Sequence, residues 1–154
     1  MLTLSAATLV EAWNYNASRE EIYLVSGGLR HEIGSRLSAG GELITAYVSQ
    51  RGVDSFAVGW LGGVKWKFYG RARRTLSLDL DVGMARSEIA TPPRGTRFNY
   101  LFRAGLTASA PVRAGVHASI AATWLHLSNN SLEGRGRNPD IQALGVAAGV
   151  LVPF

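Results

Sequence analysis

The chain has no cysteine among its 154 residues, so neither a disulfide nor a thiolate-bound metal contributes to it. No stretch reaches the roughly 18 consecutive apolar residues a membrane-spanning helix requires, although 47% of the residues are hydrophobic. A membrane location would have to be reached with strands. Acidic residues are the scarcer charge, 11 Asp and Glu against 16 Lys and Arg, and the formal charge is +5. That balance suits an anionic partner: nucleic acid, a lipid head group or the phosphates of lipopolysaccharide. A basic helix and a base-stacking motif are both missing, which argues against nucleic acid. Gly27-Gly28 and Gly62-Gly63 precede no helical pattern and so form no phosphate loop. Met1-Leu2-Thr3-Leu4 lacks the basic region and apolar core of an intact secretory signal.

What is present is alternation. Leu76, Leu78, Leu80, Val82 and Met84 alternate with Ser77, Asp79, Asp81 and Gly83, a period of two that no amphipathic helix produces. Phe56, Val58, Trp60, Val64, Trp66 and Phe68 oppose Ser55, Gly59, Gly63, Lys65 and Lys67 in the same way. Phe98, Tyr100, Phe102, Ala104 and Leu106 repeat the pattern, as do Val116, Ile120, Ala122 and Trp124, and finally Leu144 to Phe154. Thr3 to Trp13, Ile22 to Arg30 and Leu37 to Val48 are less regular but extended by composition. The length suits one domain, residues 1–154, of about eight antiparallel strands. Polar connections are expected at Asn14 to Glu21, His31 to Arg36, Ser49 to Asp54, Tyr69 to Arg74, Arg86 to Gly95, Ser109 to Arg113 and Asn129 to Asp140. In an up-and-down order the two longest, Arg86 to Gly95 and Asn129 to Asp140, share one end, and both termini lie at the other.

A soluble barrel also alternates, with its apolar face inward. Strands of about ten residues, aromatics near their ends, and Gly, Ala and Ser opposite the bulky positions favour the inverted arrangement, an eight-stranded transmembrane β-barrel with its apolar face outward. Glu42, Asp79, Asp81, Lys65, Lys67 and Arg103 would then pair across the lumen, where lone charges are costly. Trp13, Trp60, Trp66 and Trp124 are read as interfacial anchors, His31 as a turn residue and His117 as a luminal side chain.

His126-Leu127-Ser128-Asn129 is the stretch with chemistry in it. Residues two apart on a strand project from the same face, about 6 to 7 Å apart at their Cα atoms, so an imidazole at 126 can reach a hydroxyl at 128. That pair supplies a nucleophile and its base. The bland alternative is a polar pair at a membrane interface with no catalytic role.

Pro92-Pro93-Arg94-Gly95-Thr96-Arg97-Phe98-Asn99-Tyr100, His126-Leu127-Ser128-Asn129, Asn138-Pro139-Asp140-Ile141-Gln142 and the terminal Phe154 together resemble the PagL-type lipid A 3-O-deacylases, the acyloxyacyl hydrolase family. The resemblance covers about the last 80 residues well and the earlier strands only in length and pattern. It implies an outer-membrane serine esterase that removes the 3-O-linked acyl chain from lipid A of lipopolysaccharide, without cofactor or metal. On the matching positions Ser128 is the nucleophile, His126 the general base, and Asn138 with backbone near Asn129 to Ser131 a candidate oxyanion hole. Arg94, Arg97, Arg135 and Arg137, with Arg51, lie toward the end where lipid A phosphates would sit. Assembly as a homodimer stays open.

One position departs from the family: the third triad residue falls on Gln142, where an acid is usual. An amide accepts a hydrogen bond from imidazole but carries no charge to stabilise imidazolium; in a serine protease the comparable change costs about 10⁴ in rate. Asp140, of the same parity, and the more distant Glu133 are alternative acids. Three readings therefore stand side by side: another carboxylate in the role, Gln142 as a neutral orienter, or a weakened barrel. Strand parity puts Trp124, His126 and Ser128 with Val116 and Ile120, and Gln142 with Leu144 and Val146. If those faces touch lipid, the site opens sideways into the outer leaflet. Two functions remain in play, a lipid A esterase and a non-enzymatic small barrel with a structural or adhesive role.

Overall fold

The computed structural model describes residues 1–13 and 19–152, and of Arg135 the backbone alone. The terminal Phe154 and most of the connection expected from Asn14 lie outside the described residues. Strands β1 (Leu2–Glu11), β2 (Glu21–Glu32), β3 (Leu37–Ser49), β4 (Ser55–Arg71), β5 (Arg74–Thr91), β6 (Thr96–Arg113), β7 (Val116–Ser128) and β8 (Ile141–Val152) pair antiparallel in chain order. β8 closes on β1, from Leu2 opposite Val152 to Glu11 opposite Ala143, so no strand edge is left open.

The expected polarity of the two faces is found. Leu43, Val58, Trp60, Leu80, Val82, Leu106, Ile120, Leu144 and Val146 are all exposed on the outer wall. Tyr23, Tyr47 and Phe56 form an aromatic row with ring centroids 6.2 and 5.1 Å apart at one end, and Trp66 and Phe68 a pair 5.9 Å apart at the other. Tyr47 pairs with Phe56, and Leu37 with Trp66, along the same two strands. Those rows are ten residues apart on β3, which on a strand tilted by about 40° corresponds to a band roughly 25 Å tall, the height of the apolar belt on a transmembrane barrel.

The lumen has two layers. At the end that carries residues 50–54, 92–95 and 129–140, Leu9, Ile22, Leu24, Ile44, Val48, Leu61, Leu101, Leu125, Leu127 and Ile141 fill it as a buried apolar core. Toward the other end lie charges in contact: Arg30 meets Asp81 at 2.9 Å, Arg103 meets Asp81 at 2.7 Å and also Glu42, and Lys65 meets Asp79 at 3.2 Å. The barrel is thus plugged by its own side chains, not a pore. Closeness is extreme at Gly83 and Gly145, where a Cβ would lie 1.9 Å from the carbonyl oxygens of Trp60 and Thr8.

Five expectations need correction. The connection expected over Arg86 to Gly95 is only residues 92–95, because β5 continues to Thr91 and pairs with β6 as far as Thr91 opposite Thr96. Ser109 to Arg113 belongs to β6, Tyr69 to Arg71 to β4, and His31 to β2 rather than to a turn. The strands are also not uniformly near ten residues, since β5 and β6 each run to 18. Outside the hydrocarbon a strand no longer needs apolar residues facing out, so its ends read as loop by polarity while the backbone remains paired.

Candidate active site

Ser128 is the last residue of β7, at the end of the barrel where the apolar plug lies. Across the sheet it faces Tyr100, while His126 faces Phe102 on β6 and Gln142 on β8. Tyr100, Phe102 and Leu144 stand exposed on the outer wall, and strand alternation places His126 and Ser128 on that same wall. A shallow groove of about 300 Å³ runs over them, lined by Tyr100, Leu101, Phe102, His126, Ser128 and Asn130. The hydroxyl and imidazole thus share an outward groove bordered by aromatic rings.

After Ser128 the chain turns back on itself. Asn130 and Ser131 adopt the left-handed conformation, with φ of 52° and 60°, a region that Asn tolerates better than most side chains. This brings the Asn130 N–H onto the Ser128 hydroxyl at 3.1 Å. The hydroxyl in turn donates to Asn138 Oδ1 at 3.0 Å, and the Asn129 N–H donates to the same oxygen at 2.9 Å. Asn129 itself is buried: Nδ2 donates to Thr96 Oγ1 at 3.0 Å and to the Arg137 carbonyl, and Oδ1 accepts from the Ser131 N–H at 2.8 Å. Its side chain staples the 129–140 loop to the start of β6.

The oxyanion expectation is modified accordingly. Asn138 turns its carbonyl oxygen, not its NH₂, toward Ser128, and Nδ2 faces Ser131 Oγ at 3.4 Å. Asn129 turns its backbone N–H to this side, the group expected of it. The donors beside the hydroxyl are the N–H groups of Asn129 and Asn130, the first held by the Asn138 amide and the second by Ser128 itself.

His126 makes no hydrogen bond to Ser128 among the described residues, and its Nδ1 is enclosed without a hydrogen-bond partner. The nearby charge is Asp140, whose Oδ2 lies 3.6 Å from Nδ1, within ion-pair range but longer than a hydrogen bond. The imidazole stacks on Trp124, with centroids 6.1 Å apart and planes at 24°, and Trp124 also meets Phe102 at 5.6 Å. Gln142 does not contact the imidazole nitrogen: Oε1 accepts from Trp124 Nε1 at 3.1 Å and Nε2 donates to Asp140 Oδ2 at 2.8 Å. Glu133 pairs with Arg137 on the exposed loop. Of the two carboxylates considered for the acid role, Asp140 and not Glu133 is the one near His126, while Gln142 lies opposite the imidazole across the sheet.

The arginines gather at the same end without converging. Arg94 is exposed at a turn with φ of 69°. Arg97 donates to the Ser87 carbonyl at 3.2 Å, and Arg137 to the Gly95 carbonyl at 3.4 Å. Arg135 lies in a single 3-10 turn, Arg135–Arg137, and its side chain is outside the description. Among the described residues no three His, Asp or Glu side chains converge as metal ligands do. Trp124, which shares strand parity with His126 and Ser128, belongs to the same cluster through its ring and its N–H.

No known family profile matches the chain, and no curated protein matches it. Among solved structures, the crystal structure of the outer membrane enzyme PagL superposes on it with a TM-score of 0.70, covering 97% of this chain and 99% of that one at 15% identity. Identity that low carries architecture alone, and the two chains share an eight-stranded barrel over essentially their whole length.

Proposed function

We propose that this chain is an outer-membrane serine esterase that removes the 3-O-linked acyl chain from lipid A of lipopolysaccharide. The observation that carries the reading is the position of Ser128 and His126 on the outer wall, in a groove beside Tyr100 and Phe102. A soluble substrate would be met more easily at the barrel mouth. An ester linking an acyl chain to a head group sits at the boundary between hydrocarbon and water, which is the level of this site. The likeness to an outer membrane enzyme supports the location.

In this reading Nδ1 of His126 faces Asp140, which leaves Nε2 to act as base. Ser128 leaves Asn138, transfers its proton to Nε2 and attacks the ester carbonyl carbon. The carbonyl oxygen takes the electron pair and is held by the N–H groups after Ser128, where charge stabilisation of this kind is worth about 10²–10³ in rate per donor. Asp140 stabilises the imidazolium; as the tetrahedral intermediate collapses and the ester C–O bond breaks, the imidazolium gives its proton to the departing sugar oxygen, which leaves as the free hydroxyl. A water then repeats the sequence on the acyl-serine and frees a fatty acid. No cofactor is needed.

A second reading keeps the barrel without the enzyme. It is favoured by the Ser128 hydroxyl being committed to Asn138 rather than His126; catalytic hydrogen bonds in unliganded sites commonly tighten only when substrate arrives. Mass spectrometry of lipid A from cells expressing the wild type or Ser128→Ala separates the two. Loss of one 3-hydroxyacyl chain only with intact Ser128 supports the esterase, and identical lipid A in both rejects it.

A further inference from the structure

We infer that Trp124 and Gln142 are positioning residues that hold the Asp140 carboxylate against Nδ1 of His126, so that the amide at 142 is a working part of the site rather than a lost acid. The inference rests on the esterase reading for its kinetic consequence, but the geometry stands independently. Asp140 precedes β8, which begins at Ile141, so sheet pairing does not fix its side chain. Gln142 is inside the sheet, directly opposite His126.

The direction of the Gln142 amide follows from its neighbour. An indole N–H can only donate, and Trp124 Nε1 points at the amide at 3.1 Å, so the oxygen must face Trp124. The NH₂ is thereby sent the other way, to Asp140 Oδ2 at 2.8 Å. That same carboxylate oxygen is the one 3.6 Å from His126 Nδ1. The imidazole closes the circuit by stacking on Trp124. Four side chains from two adjacent strands and the residue before β8 thus form a ring on the outer wall, where hydrogen bonds are less diluted by water than at an ordinary surface. A carboxylate at 142 would place a second negative charge beside Asp140 and remove a donor to it. With the acid two residues upstream, this position calls for an amide.

The test uses the full barrel refolded in detergent, with correct folding checked for every variant by circular dichroism. Trp124→Phe keeps an aromatic ring and removes the N–H; Gln142→Leu removes the amide. Each is expected to lower kcat by about tenfold with KM within about twofold, less than the 10² that an ångström of misplacement can cost. Gln142→Glu is expected to lower kcat as well. A readout independent of turnover is the ¹⁵N spectrum of His126, which is expected to show the Nδ1–H tautomer in the wild type and a mixture in Trp124→Phe and Gln142→Leu. Activity of Gln142→Glu at or above the wild-type level, or recovery in the exchange Asp140→Asn with Gln142→Glu, would place the acid at 142 and overturn the inference, as would an unchanged tautomer in Gln142→Leu. If the tautomer responds while the wild type cleaves no lipid A, the clamp is upheld and the esterase reading fails.

Discussion

Two polar clusters lie on opposite sides of the same barrel wall, and they are built differently. Inside, Arg30, Arg103 and Lys65 meet Asp81, Glu42 and Asp79, so every carboxylate of that group has a cation in contact. Outside, Trp124, His126, Ser128, Asn138 and Gln142 surround one carboxylate, Asp140, and the imidazole stops 3.6 Å short of it. The inner cluster closes a narrow lumen and leaves its charges little freedom. The outer one is built of amides, an indole and an imidazole beside that carboxylate, and in the esterase reading it is the imidazole that takes up charge.

The comparison breaks most sharply on the outside. His126→Ala is expected to reduce deacylation by at least about 10³-fold, since base and nucleophile act as a unit, with urea unfolding of the barrel unchanged; an activity assay and an unfolding curve on one preparation check both. Asp140→Asn is expected to follow, at about 10²- to 10⁴-fold by analogy with the acid-to-amide change in a serine triad, while Glu133→Gln leaves the rate near wild type. An equal effect of the two substitutions would remove Asp140 from its special place.

The inner cluster should respond in the opposite sense. Asp81→Asn leaves Arg30 and Arg103 short of their shared partner and is expected to cost about 3–5 kcal/mol of stability, read as a lower urea midpoint, with activity per folded molecule retained. Asn129→Ala lies between the two regions. It removes the staple to Thr96 and Arg137 and is expected to cost about 1–3 kcal/mol, with a drop in rate of about tenfold as the loop carrying Asn138 and Asp140 loosens. Arg137→Ala, on an exposed pair with Glu133, is the smallest, below about 1 kcal/mol.

Much of this was legible in residue spacing. Leu76 to Met84 is apolar on one face only, because there the lumen side holds Ser77, Asp79, Asp81 and Gly83, so the period of two survives intact; in Phe56 to Phe68 it is interrupted on the inner side by Ala57 and Leu61, which join the plug. In β2, Ile22 and Leu24 enter the apolar plug while Tyr23 and Val25 face outward, and with both faces apolar the alternation disappears. The end of β5 is masked for the reverse reason: Arg86 and Glu88 are exposed on the outer wall, and polar residues there look like a loop. His126 and Ser128 could be placed because they share a strand. The carboxylate beside the imidazole is not readable in the same way, since Asp140 lies just before β8 and meets Gln142, which in turn meets Trp124, through side chains alone. A contact relayed by side chains leaves no period in a sequence.

The central claim is that the site faces outward at the lipid boundary, and a chain without native cysteine allows it to be tested directly. Spin labels placed singly at Phe102→Cys, opposite His126, and at Leu101→Cys, its inward neighbour, can be exposed in a reconstituted bilayer to molecular oxygen, which concentrates in hydrocarbon. The label at 102 should relax strongly with oxygen and weakly with a water-soluble nickel chelate, and the label at 101 should be shielded from oxygen. Strong oxygen contact at 101 with none at 102 would turn the wall inside out and contradict the account.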